Sequence, residues 1–328
     1  MVVPPSSDRG RTQYPSGARI VFLGSPQFGV PSLRELAQHF HVVEVITQPD
    51  RPAGRGRRFQ EPPVKRAARE LGLPVWQPEH LRGRKALEHL RSLQPDCGVV
   101  AAYGEILPRE VLDVPARGFL NVHASLLPRY RGASPVSAAI LNGDGETGVS
   151  IMLLDEGMDT GPVLARDSTP IQPDDTRGSL EERLAELGAD LLRDVLPGWL
   201  AGSLHPEPQD ERQATITRPL TREDGEMQWT RPADYLERLC RAMDPWPGAY
   251  THWEGTLLKV WRAEVPKTDA LAEPGTVVRV NGAVAVGTGR GLLRLLTVQP
   301  EGRPRMPAEE FVRGRPQFIG ARLGTRDT

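Results

Sequence analysis

Short apolar runs alternate with amphipathic stretches along the first part of the chain. The first run, Ile20 to Leu23, ends at Gly24-Ser25-Pro26, and helical spacing follows from Val30 to Phe40. Further strands are predicted at 42–47, 74–77, 97–102, 119–123 and 149–154, and further helices at 64–71 and 85–93. This alternation predicts an α/β fold, with a doubly wound, largely parallel, Rossmann-like sheet and helices on both faces.

A long helix is predicted to close this first domain. Ser179-Leu-Glu-Glu182 fits a capping box, and the leucines that follow recur at helical spacing, at 180, 184, 187, 191, 192 and 196. The polar, proline-bearing stretch after this helix predicts an interdomain linker at 205–221.

The pattern changes beyond the linker. One helical stretch at 232–243 precedes short β-prone runs, broken by glycines, at 257–263, 275–280, 284–286 and 292–298. This pattern predicts a small, OB-like β-barrel with an accessory helix. The expected organisation is an extension at 1–17, an α/β domain at 18–204, the linker at 205–221 and the β domain at 222–328.

Composition indicates a globular protein that is long enough for two cores. The 328 residues are 38% hydrophobic and 25% charged, with a formal net charge of -1. That charge gives no global sign of nucleic-acid binding, so any such contact must come from local basic patches. Between Arg303 and Arg326 there are six arginines and two glutamates, a local excess that could contact phosphates without reading bases.

The chain carries no signal that places it in a membrane or an oxidising compartment. No apolar run reaches the length of a spanning helix, and residues 1–17 lack the apolar centre of a signal peptide. We expect residues 1–17 to be a disordered extension or the product of an upstream start codon. Cys97 and Cys240 lie far apart in sequence, which favours a reducing compartment. The expected location is the cytoplasm.

Candidate chemistry lies between Asn121 and Asp159. On a strand at 119–123, Asn121 and His123 project from the same face. Acyl transfer to an amine needs donors for the developing oxyanion and a base for the amine proton, which Asn121, His123 and Asp159 could supply. Taken alone, however, Asn-x-His at a strand end is more often ordinary hydrogen bonding, and Gly157 to Gly161 reads as a tight turn.

Three sequence motifs, which follow one another along the chain, favour the catalytic interpretation over ordinary hydrogen bonding. They are Tyr103-Gly104-x-Ile-Leu-Pro108, Asn121-Val-His123-x-Ser125-Leu-Leu-Pro128 and Met158-Asp159-Thr-Gly161, and together they resemble the folate-dependent formyltransferases. The resemblance implies that Asn121, His123 and Asp159 are catalytic. It also implies that the folate-binding residues are Tyr103, Gly104, Ser125, Leu126, Leu127 and Pro128.

An arginine-rich loop indicates which of the folate-dependent formyltransferases the chain resembles. Residues 47–58 include Arg51, Arg55, Arg57 and Arg58, which on their own would suit a solvated face. The loop is similar to the insertion by which methionyl-tRNA formyltransferases engage the acceptor end of the initiator tRNA. The resemblance implies tRNA contacts for these four arginines, with Arg55 at the first base pair of the acceptor stem.

The resemblance runs from about Arg19 to Arg322 and implies one activity. The chain would transfer a formyl group from 10-formyltetrahydrofolate, its co-substrate, to the amino group of methionyl initiator tRNA, acting as a monomer without a metal or a membrane partner. The alternatives are a folate-dependent sugar-nucleotide formyltransferase, a formyltetrahydrofolate hydrolase, or an RNA-binding module with a degenerate catalytic domain. A dinucleotide site is disfavoured, because Gly24 to Gly29 does not form Gly-x-Gly-x-x-Gly.

Overall fold

The computed structural model describes residues 17–53 and 58–324, so most of the predicted extension at 1–17 lies outside the described residues. The chain divides into two compact units. Unit 1 contains the residues up to Pro135, Glu146–Pro170 and Glu181–Thr217, and unit 2 contains Val136–Gly145, Ile171–Leu180 and the residues from Arg218 onward.

The predicted strands and helices occur in the predicted order, together with further elements that were not predicted. The strands are β1 (Arg19–Gly24), β2 (His41–Ile46), β3 (Arg51–Ala53), β4 (Arg58–Gln60), β5 (Val75–Trp76), β6 (Cys97–Ala101), β7 (Phe119–His123), β8 (Arg131–Gly132), β9 (Glu146–Leu153), β10 (Val163–Pro170), β11 (Ile216–Thr217), β12 (Ala249–Trp253), β13 (Thr256–Glu264), β14 (Val277–Val280), β15 (Ala283–Gly287), β16 (Leu292–Pro300) and β17 (Met306–Pro307). The helices are α1 (Gly29–His39), α2 (Pro63–Glu70), α3 (Arg84–Ser92), α4 (Arg109–Leu112), α5 (Pro135–Asn142), α6 (Arg177–Ala201), α7 (Ala233–Ala242) and α8 (Ala308–Arg313).

Unit 1 is built on a largely parallel sheet, which confirms the predicted fold class. In the described part of this unit, seven strands pair in the order β10-β9-β7-β6-β1-β2-β5. The five strands β7, β6, β1, β2 and β5 run parallel to one another. Strand β9 pairs antiparallel with β7, and β10 pairs antiparallel with β9. The chain order reverses between β1 and β6, and ligands of such sheets bind beyond the carboxyl ends of the strands near this switch.

Unit 2 was predicted to be a small, OB-like β-barrel with an accessory helix, and it is built on an antiparallel sheet. Among the described strands, β12, β13, β16, β15 and β14 are neighbours in that order, and β17 pairs with β16. The core of this unit includes an aromatic cluster, in which Trp253, Phe311 and Phe318 meet edge to face at centroid distances of 5.1–5.7 Å.

Helix α6 and strand β10 show how the structure differs from the prediction in unit 1 and at its closing helix. Helix α6 begins at Arg177, before the predicted start at Ser179, because its cap lies three residues earlier. Thr176 Oγ1 accepts from the Ser179 amide at 3.2 Å, and Ser179 Oγ accepts from the Thr176 amide at 3.1 Å. Strand β10 was not predicted, because it is a half-exposed edge strand and its sequence shows no apolar run.

The predicted leucine-rich helix packs closely on the sheet. Leu184 and Leu192 of α6 are fully buried, and Gly188 lies between them over β7. A Cβ atom at Gly188 would lie 2.6 Å from Val122 Cγ1. Since Val122 separates Asn121 from His123, the glycine lets the helix approach the strand that carries both side chains.

We expect Gly188→Ala to destabilise the protein, although alanine is the better helix former. The Val122 side chain is branched at Cβ and cannot turn away, so overpacking should cost about 1–3 kcal/mol, more than the gain in helix propensity of about 1 kcal/mol. Gly145→Ala is the control, because a Cβ atom at that position would have no described atom within 4 Å. Thermal melting followed by circular dichroism should give a lower melting temperature for Gly188→Ala alone, and equal melting temperatures would contradict this packing account.

Candidate active site

Asn121 and His123 lie at the carboxyl end of β7. Their neighbours on β9 are Met152 and Ser150, so β7 is paired along the length that carries both side chains. The His123 side chain is 7% exposed and Asn121 is half-buried. Both side chains extend toward the carboxylate of Asp159, as expected for residues on one face of a strand.

Asp159 lies in a tight turn formed by residues 155–161, called the Asp159 turn below. Asp155 Oδ1 accepts from the Gly157 amide at 3.1 Å and from Thr160 Oγ1 at 2.7 Å. A Cβ atom at Gly161 would lie 1.9 Å from the Leu153 carbonyl oxygen, so this position requires glycine. Asp159 itself has a φ of 55°, a left-handed conformation that costs an L-residue roughly 1–3 kcal/mol.

The Asp159 carboxylate receives donors from separate parts of the chain. Its Oδ1 accepts from Asn121 Nδ2 at 3.3 Å, and its Oδ2 accepts from the Gly132 amide at 2.7 Å. Oδ2 also lies 3.5 Å from His123 Nδ1, and the Asp159 side chain is only 14% exposed. Because a carboxylate removed from water needs such partners, these contacts define the resting position of the group.

His123 uses its other ring nitrogen to contact the backbone. Nε2 lies 3.0 Å from the Tyr130 carbonyl oxygen. A carbonyl oxygen can only accept, so this hydrogen bond requires the proton on Nε2. If Nδ1 is protonated as well, its contact with the Asp159 carboxylate is attractive. If Nδ1 carries no proton, its lone pair faces the carboxylate and the contact is repulsive.

Gly132 is a site residue to which the sequence analysis gave no role. Its φ is 99°, and a Cβ atom there would lie 2.2 Å from the Thr217 carbonyl oxygen. Only glycine therefore lets this amide face Asp159. Gln209 was missed as well: its Nε2 donates to the Asp159 carbonyl oxygen at 2.8 Å. A glutamine in a polar stretch offers no sequence signal for such a contact.

The predicted folate segment, 125–128, is held by strand β9. Ser150 Oγ donates to the Ser125 carbonyl oxygen at 2.7 Å and accepts from the Leu127 amide at 3.0 Å. The Leu127 carbonyl oxygen accepts from Arg166 Nε at 2.7 Å, and burial lowers the pKa of Arg166. The peptide bond before Pro128 is cis. The segment is thus fixed beside His123, and its role in folate binding stays a prediction.

Tyr103 and Gly104 follow β6, the parallel neighbour of β7. Tyr103 is only 2% exposed and belongs to the apolar core, and burial raises the pKa of its hydroxyl. Its side chain therefore offers little surface to a ligand. Gly104 is exposed, with a φ of 86°, so its backbone is the accessible part of the pair.

Within the arginine-rich loop, the structure describes residues 47–53 and 58. Strands β3 and β4 pair antiparallel, so the sides of the loop form a short hairpin. Arg51 is exposed and donates to Gln48 Oε1 at 3.2 Å. Arg55, Arg57 and the side chain of Arg58 lie outside the described residues. Their predicted contacts with tRNA stay predictions.

Neither a metal centre nor a membrane span is found among the described residues. No group of three or more His, Cys, Asp and Glu side chains within them could hold a metal ion. None of the helices that the structure describes has the length and apolar character required to cross a bilayer.

The chain matches known proteins over nearly its full length. Residues 18–196 match the formyl transferase family model, and residues 219–316 match the model of the formyl transferase C-terminal domain. The methionyl-tRNA formyltransferase of Roseiflexus sp. (strain RS-1) is 52% identical over 310 residues, covering 93% of this chain and 95% of that protein. That of Chloroflexus aggregans (strain MD-66 / DSM 9485) is 52% identical over 299 residues, covering 90% of this chain and 97% of that protein.

Solved structures share the fold at lower identity. The structure of WlaRD, a sugar 3N-formyltransferase, in the presence of dTDP and 5-N-formyl-THF superposes with a TM-score of 0.64 and 14% identity. The match covers 88% of this chain and 99% of that one. This likeness confirms the fold alone, whereas the two sequence relatives and the two family models confirm the resemblance found in the sequence: the chain belongs to the methionyl-tRNA formyltransferase family.

Proposed function

We propose that the chain formylates the amino group of methionyl initiator tRNA, with 10-formyltetrahydrofolate as the donor and Asn121, His123 and Asp159 as the catalytic groups. Membership of the methionyl-tRNA formyltransferase family supports the proposed activity. The site geometry supports the choice of catalytic residues, because the Asn121 amide and the His123 imidazole lie 3.3 and 3.5 Å from the Asp159 carboxylate.

The reaction sets the requirements that these groups would meet. A bond forms between the amine nitrogen of methionine and the formyl carbon, and the bond between that carbon and N10 of the folate breaks. The amine loses one proton, N10 gains one, and negative charge develops on the formyl oxygen. The folate supplies an activated formyl group, so the protein must stabilise this charge and move the protons.

Asn121 is suited to stabilise the developing charge. A side-chain amide has two N–H donors, and the contact with Asp159 engages one of them. The second can donate to the formyl oxygen, which would add a contact worth roughly 10²–10³ in rate for a fixed donor. His123 with Nδ1 protonated adds a positive charge next to Asn121 and balances the negative charge of Asp159.

Asp159 is suited to take the amine proton, directly or through a water molecule. It carries the only carboxylate among the three proposed groups, and its Oδ1 accepts the longer of its two hydrogen bonds, from Asn121 at 3.3 Å. The shorter bond from the Gly132 amide, at 2.7 Å to Oδ2, would hold the carboxylate in place while Oδ1 receives the proton.

The arginine-rich loop, residues 47–58, is the proposed tRNA contact, through Arg51, Arg55, Arg57 and Arg58. Arg51 supports this assignment because it is exposed and its partner among the described residues, Gln48 at 3.2 Å, is neutral. We further propose that the enzyme acts as a monomer in the cytoplasm. The sugar-nucleotide and hydrolase alternatives are not favoured, because the relatives at 52% identity are methionyl-tRNA formyltransferases.

Asp159→Asn should abolish most of the turnover while folate binding is retained. The change keeps the size of the side chain but removes its charge and basicity, so kcat should fall by about 10²–10⁴. Asp167→Asn is the control, since Asp167 is exposed on β10 and its carboxylate accepts from the adjacent Ser168 amide at 2.8 Å. Formylation of methionyl initiator tRNA is measured with both variants. Wild-type turnover by Asp159→Asn would refute the catalytic assignment.

Arg51→Ala and Arg55→Ala should each weaken the use of tRNA without affecting folate. If each guanidinium contacts a phosphate, its loss should raise KM for the tRNA and reduce the slope of log affinity against log salt by about 1. Arg34→Ala is the control, because Arg34 is exposed and its ion pair with Glu70 is long, at 3.9 Å. Equal tRNA affinity and equal salt slopes for the three variants would show that Arg51 and Arg55 do not contact the tRNA.

A further inference from the structure

A polar segment of unit 1 is hydrogen-bonded to the site on two sides. This segment, residues 207–217, is called the brace below. At one end, Glu207 and Val163 exchange two backbone hydrogen bonds of 2.8 Å. At the other end, β11 pairs in parallel with β8, which contains Gly132. The sequence predicted a linker here, but the residues of the brace are fixed to the loops that surround Asp159.

One side chain of the brace holds the backbone of the Asp159 turn. Gln209 Nε2 donates to the Asp159 carbonyl oxygen at 2.8 Å and to the Gly161 carbonyl oxygen at 2.7 Å. Both N–H donors of this amide are therefore used within one turn. They hold Asp159 at a φ of 55°, a conformation that an aspartate adopts only when its surroundings fix it.

The other end of the same amide contacts a buried cation. Gln209 Oε1 accepts from Arg131 Nε at 3.0 Å and from a terminal nitrogen of Arg131 at 2.9 Å. Arg131 is only 4% exposed, and it also pairs with Glu211 at 2.7 and 2.9 Å. A guanidinium can only donate and a carbonyl can only accept, so these partners allow one orientation of the Gln209 amide.

We propose that Gln209 is a positioning residue for Asp159, and that Arg131 and Glu211 hold Gln209 in its orientation. This inference rests on the proposed catalytic role of Asp159. Gln209 does not touch the carboxylate, but it fixes the turn from which the carboxylate reaches Gly132 at 2.7 Å and His123 at 3.5 Å. Misplacing a catalytic group by about 1 Å can cost about 10² in rate.

Gln209→Glu and Gln209→Met test the proposal in the full-length enzyme. Glutamate keeps the acceptor for Arg131 but places an oxygen against the two carbonyl oxygens, and methionine removes the donor without adding charge. For both variants, kcat should fall by about 10²-fold, while KM for 10-formyltetrahydrofolate and for methionyl-tRNA changes by less than about threefold. Gln213→Glu is the control, since Gln213 is exposed in the brace and donates to Asp210 at 3.0 Å; its kcat should stay within about twofold.

A double-mutant cycle with Asp159→Asn distinguishes positioning from a structural role. If Gln209 acts through the Asp159 carboxylate, Gln209→Met should lower single-turnover rates by less than about threefold in the Asp159→Asn background. An equal loss in both backgrounds, a loss that follows the unfolded fraction in a thermal melt, or wild-type kcat in both Gln209 variants would each overturn the proposal. Wild-type turnover by Asp159→Asn alone would instead overturn the proposed function, so the two failures are distinguishable.

Discussion

The site depends on the hydrogen bonding of one carboxylate that is largely removed from water. Asp159 accepts from the Gly132 amide and the Asn121 side chain, and it faces His123 Nδ1. Asn121 and His123 come from β7 and Gly132, a glycine with positive φ, comes from β8, and they meet a carboxylate that lies 27 to 38 residues further along the chain. An ionised group with so little exposure is costly unless its partners are in place, so the fold must deliver all of them together.

The fold of unit 1 explains how these groups meet. The carboxyl ends of the parallel strands β6 and β7 lie at one edge of the sheet, which brings His123 near the segment after β6. The pairing of β7 with β9 then returns the chain to the Asp159 turn. The hydrogen bond from His123 Nε2 to the Tyr130 carbonyl oxygen fixes the ring, so that Nδ1 is the nitrogen that faces the carboxylate. The sheet therefore determines where the catalytic candidates lie, and the Tyr130 carbonyl oxygen determines which ring nitrogen of His123 carries a proton.

The sequence predicted the strands of the unit 1 sheet other than β10, because most of them are apolar runs that are buried on both faces. The limits of β7 were predicted at Phe119 and His123, as observed, and the three catalytic candidates were identified through motifs. Features that depend on long-range contacts were not predictable. The role of Gly132 requires the nearby Thr217 carbonyl, and that of Gln209 requires a turn 50 residues away in sequence. The arginine-rich loop gave no sign that its sides pair as β3 and β4, because each strand has only three residues and neither carries an apolar run.

The catalytic arrangement requires that His123 Nε2 donates to the Tyr130 carbonyl oxygen and that Nδ1 faces Asp159, so the position of the proton on His123 is its decisive test. The measurement is a ¹⁵N–¹H spectrum of the histidine side chains in the folded protein labelled with ¹⁵N-histidine, with His123→Gln used to assign the signal. We expect the spectrum to show a proton on His123 Nε2, the nitrogen that contacts the Tyr130 carbonyl oxygen. A neutral His123 with the proton on Nδ1 and none on Nε2 would contradict this arrangement of the site.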